Sequence, residues 1–276
     1  MERRRGARRW GLFLLLLAIT TVINFPIIVM ILNSFQTTEQ ILQTRSVFPE
    51  HFSLYNFEFL STRTAFWTFF RNSVLVSGGS TAIGIAIAAL AGYALSRFRH
   101  KGLGVYSRLL LMVQMFPIIL ALIPLFILFR GLGLINNPLS VILIYTVVHL
   151  PFATWMFKAF FDTIPRELED AAQVDGCTKL EAFWRIVLPL SGPGTAAVAI
   201  FSFLFSYNEF FVASVFLRTE SAMTVPVGIQ MFMQQYATDW GSLMAAATVT
   251  MVPTFVLFLF VQRYIMYGAV AGGVKG

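Results

Sequence analysis

SVLVSGGSTAIGIAIAALAGYAL, residues 73–95, carries no charged side chain along its whole length. An apolar helix of about 20 residues spans the hydrocarbon core of a bilayer. Gly84, Ala88 and Gly92 follow one another at four-residue spacing, which places three small residues on one helix face and allows a second helix to approach closely. The stretch therefore predicts a membrane-spanning helix that packs tightly against a neighbour.

Five further stretches have the same apolar character, at residues 10–32, 106–129, 138–157, 194–216 and 241–265. Only 12% of the residues are charged, whereas a soluble domain has about 25%. No internal repeat and no linker divides the chain. We therefore predict an all-α, polytopic membrane protein with six transmembrane helices, in which residues 1–276 form a single transmembrane domain.

The basic residues predict the orientation of these spans. The net charge is +7, and Lys and Arg lie beside the spans rather than in one tract, which favours membrane orientation and argues against nucleic acid as a partner. With the N-terminus in the cytoplasm, only five of the 20 Lys and Arg residues lie outside: Arg45, Arg63, Arg71, Arg130 and Arg218. We therefore predict that both termini are cytoplasmic and that the first span is a retained anchor, since it is too long for a cleavable signal peptide.

Residues with catalytic or metal-binding chemistry are sparse. Cys177 is the single cysteine and has no Cys or His neighbour at metal-ligand spacing, and the three histidines lie in separate regions. The sequence has no Gly-x-x-x-x-Gly-Lys-Ser/Thr phosphate loop, so the chain cannot cradle ATP phosphates by itself. We therefore predict no enzyme activity and no cofactor in this chain. A membrane scaffold or an embedded enzyme is disfavoured, because it would need an interaction module or a catalytic constellation.

Glu209 is the one acidic residue inside a predicted span. Such a residue is costly in lipid and by default faces a bundle interior or an aqueous cavity. Two interpretations stay open: Glu209 lines a permeation path, or it pairs structurally. An ion-coupled secondary transporter would normally show several such carboxylates, so this class is disfavoured. Gln114 and His149 lie in other predicted spans and are weaker path candidates.

Residues 162–190 form a charged segment between two apolar stretches, on the predicted cytoplasmic side. Six of the thirteen acids lie here: Asp162, Glu167, Glu169, Asp170, Asp175 and Glu181. Thr163 and Pro165 predict the start of a short helix that continues to Val174, and Asp175-Gly176 predicts its end. The segment is therefore solvated and structured.

A second short helix is predicted after Gly176. Thr178 and Glu181 match the capping-box pattern, and Pro189 marks the end of this helix. Its apolar residues are expected on one face, as a ridge for a partner's groove or for the chain's own spans: Leu180, Phe183, Trp184 and Val187. A hairpin lying on lipid headgroups is disfavoured because anionic lipids would repel so many acids, so docking to a protein is favoured.

At these residues the chain resembles the permeases of ATP-binding-cassette (ABC) importers, whose cytoplasmic signature is Glu-Ala-Ala, three residues, then Gly. Residues 170–176 read DAAQVDG, and Phe183 and Leu188-Pro189 follow at the family's positions. Residues 71–73, 94–98, 206–210 and 271–276 resemble the carbohydrate-uptake, maltose-type branch. The departures are Asp170 for Glu, Cys177 for Ala and Tyr207 for Trp.

The resemblance implies a type I ABC importer permease fold and a role in ATP-driven import of a sugar or oligosaccharide, with polyols and glycerol-phosphate-type solutes left open. It implies a bacterial inner-membrane location and several partners: a cytoplasmic ABC ATPase dimer that binds ATP and Mg, a second homologous permease, and an extracytoplasmic solute-binding protein. Residues 162–190 would be the coupling loop, with contact residues Glu169, Asp170, Ala171, Ala172, Asp175, Gly176 and Phe183. The possible substrate path comprises Glu209, Asn208, Tyr207, Ser206 and Gln114.

Overall fold

The computed structural model describes residues 2–43, 48–49, 51–233 and 238–273, and within these ranges the regular structure is helical. Arg45 and residues 274–276 lie outside the described part. The chain divides into two compact units, Met1–Phe66 with Ile229–Met251 and Trp67–Gly228 with Val252–Gly276. Each unit is described separately below.

The helices follow one another in chain order with few long connections. They are α1 Glu2–Asn33, α2 Thr38–Gln43, α3 Tyr55–Arg63, α4 Phe66–Arg97, α5 Lys101–Met115, α6 Ile118–Gly131, α7 Pro138–Asp162, α8 Glu167–Val174, α9 Lys179–Ala182, α10 Leu188–Leu190, α11 Gly192–Asn208, α12 Phe211–Phe216, α13 Val225–Gly228 and α14 Trp240–Gly273. A π-helical turn, Phe183–Val187, joins α9 to α10, so that Lys179–Leu190 is one continuous helix.

Four helices in the described ranges are long and apolar enough to cross a membrane: Arg9–Asn33, Phe66–Arg97, Pro138–Asp162 and Trp240–Gln262. Two bent pairs pass the same test, α5 with α6 at 97° and Lys179–Leu190 with α11 at 76°. The chain therefore has four to six candidate spans, and it is an integral membrane protein.

The expectation of one continuous helix over residues 106–129 is wrong. Phe116 adopts extended backbone angles, φ −80° and ψ 122°, between α5 and α6. Pro117 has no N–H to donate and disfavours helical geometry in the residue before it. The stretch 194–216 is likewise interrupted, because Glu209 is extended at φ −75° and ψ 126° between α11 and α12.

The first unit is closed by hydrogen bonds between distant segments. Asn56 Nδ2 donates to the carbonyls of Ser34 and Gln36, at 2.9 and 2.8 Å. A Cβ on Gly241 would lie 2.7 Å from Asn56 Oδ1, so the start of α14 approaches this amide as closely as glycine allows. These contacts hold α3 and α14 to the end of α1.

The second unit contains two apolar cores. One joins α7 to α12 through Tyr145 and Phe216, and the other joins α4, α7 and the helix Lys179–Leu190 around Phe157 and Phe183. A Cβ on Gly92 would lie 2.7 Å from Phe157 Cβ, which confirms close packing of the small-residue face of α4 at Gly92, whereas a Cβ on Gly84 would meet no atom within 4 Å. The charged segment 162–190 is thus anchored on the second core.

Candidate functional site

The segment 162–190 folds as two helices joined at a glycine. Gly176 has φ +94°, a conformation that side chains with a Cβ rarely adopt, and the Cys177 N–H donates to the Ala172 carbonyl at 2.9 Å. This bond is the usual closure of a helix that ends at a left-handed glycine. The predicted end of the first loop helix at Asp175-Gly176 is confirmed.

The predicted start of that helix is wrong. Thr163 caps the end of α7, and its hydroxyl donates to the Phe160 carbonyl at 2.7 Å. The Thr163 side chain therefore completes the preceding helix. The first loop helix, α8, begins at Glu167, and its N-cap Arg166 makes no side-chain cap bond.

The capping box at the second loop helix is confirmed. Thr178 Oγ1 accepts from the Glu181 N–H at 3.3 Å, and Glu181 Oε2 accepts from the Thr178 N–H at 2.8 Å. These bonds from the Thr178 backbone and hydroxyl hold the pKa of the exposed Glu181 carboxyl below its usual range. The helix reaches Leu190, close to the predicted end at Pro189.

The apolar ridge expected on this helix is divided between interior and surface. Phe183 and Val187 are fully buried, whereas Leu180 and Trp184 are 58% and 51% exposed. The π-helical turn at Phe183–Val187 has more residues per turn than an α-helix, which rotates side chains away from a shared face. Only Leu180 and Trp184 are left for an outside contact.

Glu169 lies in the interior, although the resemblance placed it among the contact residues. Its carboxylate accepts from Tyr93 Oη at 2.7 Å and from Arg97 Nε at 2.5 Å, and the side chains of Arg97 and Glu169 are both about nine-tenths buried. Arg97 Nη2 also donates to the Ile164 carbonyl at 3.0 Å. The end of α4 is thereby fastened to α8 and to the end of α7.

Further bonds surround this ion pair. Ser96 Oγ donates to Asp162 Oδ1 at 2.6 Å, and Lys158 Nζ donates to Asp162 Oδ2 at 2.5 Å. Arg166 Nη2 donates to the Ser96 carbonyl at 2.9 Å. We call Tyr93, Ser96, Arg97, Asp162 and Glu169 the clamp. Residues 94–98 carry the family resemblance, but the sequence analysis did not predict this cluster. The Ser96-Arg97 pair directly after an apolar span could have indicated it.

The exposed part of the loop surrounds Gly176. Asp170, Ala171, Asp175 and Gly176 are exposed, and Val174 is 87% exposed despite being apolar. Ala172 is buried, at 7% exposure, beneath them. Of the expected contact residues, the structure therefore brings these four exposed ones together at the surface and places Glu169, Ala172 and Phe183 inside.

Glu209 lies at the break between α11 and α12 and not within a helix. Its Oε2 accepts from Tyr145 Oη at 2.6 Å and from the Val212 and Ala213 N–H groups at 3.0 and 3.3 Å. The first N–H groups of a helix have no carbonyl partner within the helix, and a carboxylate is a favourable acceptor for them. Of the two interpretations of Glu209, this geometry favours structural pairing.

Of the other residues predicted to line the path, two are buried and two are exposed. Ser206 accepts from Ser80 Oγ at 2.9 Å, and Tyr207 is 2% exposed. Asn208 is exposed, with its amide donating to the Leu204 carbonyl at 2.9 Å. Gln114 is exposed on α5 and lines a separate cavity beside the 97° bend.

Comparison with known proteins identifies a family and individual relatives. Residues 80–266 match the family described as "Binding-protein-dependent transport system inner membrane component". The chain is 36% identical over 253 residues to the sulfoquinovosyl glycerol transport system permease protein SmoH of Agrobacterium fabrum, covering 91% of this chain and 89% of that protein. It is also 36% identical to the arabinooligosaccharides transport system permease protein AraQ of Halalkalibacterium halodurans, over 91% of each.

A solved structure has the same fold. It is the crystal structure of a bacterial ABC transporter involved in the import of the acidic polysaccharide alginate, with a TM-score of 0.79 and 21% identity, covering 94% of this chain and 98% of that one. The chain therefore belongs to the family of binding-protein-dependent transport system inner membrane components, and it is the permease subunit of an ABC importer and not its ATPase.

Proposed function

We propose that the chain is one of two homologous membrane subunits of an ATP-driven importer for a sugar or oligosaccharide in the bacterial inner membrane. The relatives named above are permease proteins of transport systems for sulfoquinovosyl glycerol and for arabinooligosaccharides, and another relative, from Thermococcus litoralis, is a trehalose/maltose transport system permease protein. In the proposal, α5 with α6 forms one span and α11 with α12 forms another, which together with α1, α4, α7 and α14 gives six spans, cytoplasmic termini and one transmembrane domain. The solute is delivered by an extracytoplasmic binding protein.

The observation that carries the proposal is the loop 162–190, with an exposed tip and a fastened base. Its tip presents Ala171, Val174 and Gly176 to the cytoplasm as a small apolar contact. An exposed contact of small apolar residues on a folded loop can be seated in a partner's groove. In the proposal, the tip docks on a cytoplasmic ABC ATPase dimer, which binds ATP and Mg.

The clamp gives the docked loop a mechanical connection to the membrane. Glu169 holds Arg97 and Tyr93 at the end of α4, so a displacement of α8 is passed to a helix that crosses the bilayer. Closure of the ATPase dimer would thus move α4 and α7 together and open the pathway alternately to each side. Glu169, Ala172 and Phe183 act as positioning residues, and Asp170, Ala171, Asp175 and Gly176 make the contact.

The test replaces Gly176 in the complete reconstituted transporter. Gly176→Glu is expected to abolish co-purification of the ATPase and binding-protein-stimulated hydrolysis, because a charged side chain occupies the docking tip. Gly133→Glu is the matched control: Gly133 also has positive φ, at 69°, and open space around it, but it lies in the connection from α6 to α7. Normal assembly and stimulated hydrolysis in Gly176→Glu would contradict the docking role.

The solute class is tested on the cognate extracytoplasmic binding protein. Its affinities for neutral saccharides, polyols and sugar phosphates are measured by calorimetry. Tight binding of a saccharide is expected. Selective binding of a phosphate ester or of a simple polyol would replace the carbohydrate assignment and leave the importer assignment intact.

A further inference from the structure

A cavity of about 560 Å³ lies in the second unit, beside the bend between α5 and α6. Both arms of the bend, the middle of α7 and the middle of α11 enclose it, and its volume falls in the range of small-molecule sites, about 300–1,000 Å³. Six of its lining residues matter for its chemistry: Gln114, Phe116, His149, Phe152, Ser202 and Phe205.

The cavity combines a few polar groups with aromatic walls. Gln114 presents an exposed amide, and Ser202 contributes a hydroxyl. His149 Nε2 is buried and has no hydrogen-bond partner among the described residues, with the imidazole ring 5.6 Å from the Phe205 ring. Buried polar atoms in native proteins are almost always paired. His149 lines the cavity, and its unpaired ring nitrogen indicates a hydrogen-bonding partner that the described residues do not supply.

In the proposed six-span arrangement, the cavity lies about midway along the spans that line it. Pro117 is near the midpoint of the predicted span 106–129, and His149 and Ser202 are near the midpoints of their own predicted spans. Non-helical backbone at this depth is tolerated only where it is buried in protein or lines an aqueous cavity. Phe116, at the break, is 57% exposed in this chain.

The second backbone break borders a second cavity, of about 540 Å³, lined by Asn208, Glu209 and Phe210 among others. The two cavities share Phe205. They therefore lie next to each other, lined by aromatic rings and by hydrogen-bonding groups that include the Glu209 carboxylate. Adjacent cavities of this kind are expected along a path on which a solute moves.

The charges of the lining select a class of solute. The lining residues of the first cavity include no Lys, Arg, Asp or Glu in the described part of the chain. The second cavity contributes Glu209, whose carboxylate is held by Tyr145, Val212 and Ala213. Among these lining residues, an anionic solute would find no positive counter-ion and would be repelled by the Glu209 carboxylate. Burial of an unpaired charge is costly.

We infer that the cavity between Gln114, His149 and Ser202 is a binding subsite, in this chain itself, for a neutral polyhydroxylated solute. Solute hydroxyls bond to the Gln114 amide and the His149 imidazole, and its C–H faces pack on Phe152 and Phe205. This inference rests on the proposed function as the membrane subunit of an importer. The inference goes beyond that function by assigning the charge of the solute and the residues that bind the solute.

The first test uses the fact that Cys177 is the only cysteine. In a Cys177→Ser background of the complete transporter in liposomes, Gln114→Cys and His149→Cys are each treated with a cationic and an anionic methanethiosulfonate reagent. Both thiols are expected to react, about tenfold faster with the cationic reagent because of Glu209. Leu259→Cys, an exposed apolar position on α14 outside the cavity, is expected to be unreactive.

Absence of reaction at both cavity positions, or a faster reaction with the anionic reagent, would overturn the inference. The second test measures uptake of the solute that the cognate binding protein carries. Gln114→Leu and His149→Phe are each expected to raise the KM about tenfold, as loss of one hydrogen bond does. Gln262→Leu, on α14, is the matched control and is expected to leave the KM unchanged.

The outcomes separate the two proposals. If the binding protein fails to stimulate ATP hydrolysis in the unsubstituted complex, the proposed function is wrong. If stimulation is normal and the KM is unchanged in both Gln114→Leu and His149→Phe, only the subsite is wrong. A binding protein that selects an anionic solute overturns the neutral class, and the importer assignment is unaffected.

Discussion

Glu209 shows how one ionisable residue is accommodated inside an apolar segment. Its carboxylate accepts hydrogen bonds from the Tyr145 hydroxyl and from two backbone N–H groups at the start of α12. The interruption between α11 and α12 leaves such donor groups without an acceptor inside an apolar segment. The residue therefore stabilises the break that its own extended conformation creates.

Substitution at Glu209 distinguishes a structural from a path-lining role. Glu209→Ala is expected to destabilise the protein by about 1–2 kcal/mol, because the α12 amides lose their cap. Tyr145→Phe is expected to cost about 1 kcal/mol, for one hydrogen bond. Thermal unfolding of the detergent-solubilised complex measures both. Unaltered unfolding of Glu209→Ala together with a changed solute preference would favour the path-lining role instead.

At the scale of elements, close approach of α4 to α7 depends on Gly92. A Cβ there would lie 2.7 Å from Phe157 Cβ and 3.0 Å from the Thr154 carbonyl oxygen. Gly84 lies two turns earlier on the same face and has no atom within 4 Å of such a Cβ. The two glycines therefore differ in packing although the sequence gives them the same spacing.

We expect Gly92→Ala to destabilise the protein by about 1–3 kcal/mol through overpacking. Gly84→Ala should be neutral or stabilising by up to about 1 kcal/mol, because alanine favours the helix more than glycine does. The midpoint of thermal unfolding, measured for both variants in the same detergent, checks the difference. Equal shifts for the two variants would show that the contact at Phe157 does not limit this packing.

The helix ends that the sequence predicts are those set by local contacts. The Thr178–Glu181 box joins residues three apart, and the turn at Gly176 needs only its own backbone conformation. The interruption at Pro117 was not predictable in this way, because Pro124 and Pro151 lie inside helices that continue through them. The presence of a proline alone therefore does not predict where a span is interrupted.

At the scale of the whole molecule, the clamp could not be predicted because its members are far apart in the chain. Arg97 and Glu169 are 72 positions apart, and Tyr93 and Glu169 are 76 positions apart. Composition predicts the charged loop and the resemblance implies its role, but neither shows which acid turns inward. The clamp joins the loop's buried carboxylate to the end of a spanning helix, and in the proposed function these bonds connect the motor to the membrane.

Weakening the clamp should therefore reduce the solute imported per ATP hydrolysed. Tyr93→Phe removes one hydrogen bond from Glu169, and Arg97→Gln removes the charge while keeping a hydrogen-bonding side chain. In each, the exposed tip still docks, but α4 follows the loop less closely. We expect the transport ratio to fall about twofold in Tyr93→Phe and about tenfold in Arg97→Gln, since a buried charged partner contributes more than a neutral one.

Reconstituted liposomes with the binding protein allow uptake and phosphate release to be measured on the same sample. Arg185→Ala is the control, because Arg185 forms only a 3.8 Å ion pair with the exposed Glu181, and such pairs contribute under about 1 kcal/mol. Its ratio should match that of the unsubstituted protein. If uptake and hydrolysis instead fall in proportion in Arg97→Gln, the ion pair supports folding or assembly alone, and transmission must run through the covalent connections from the loop to α7 and α11.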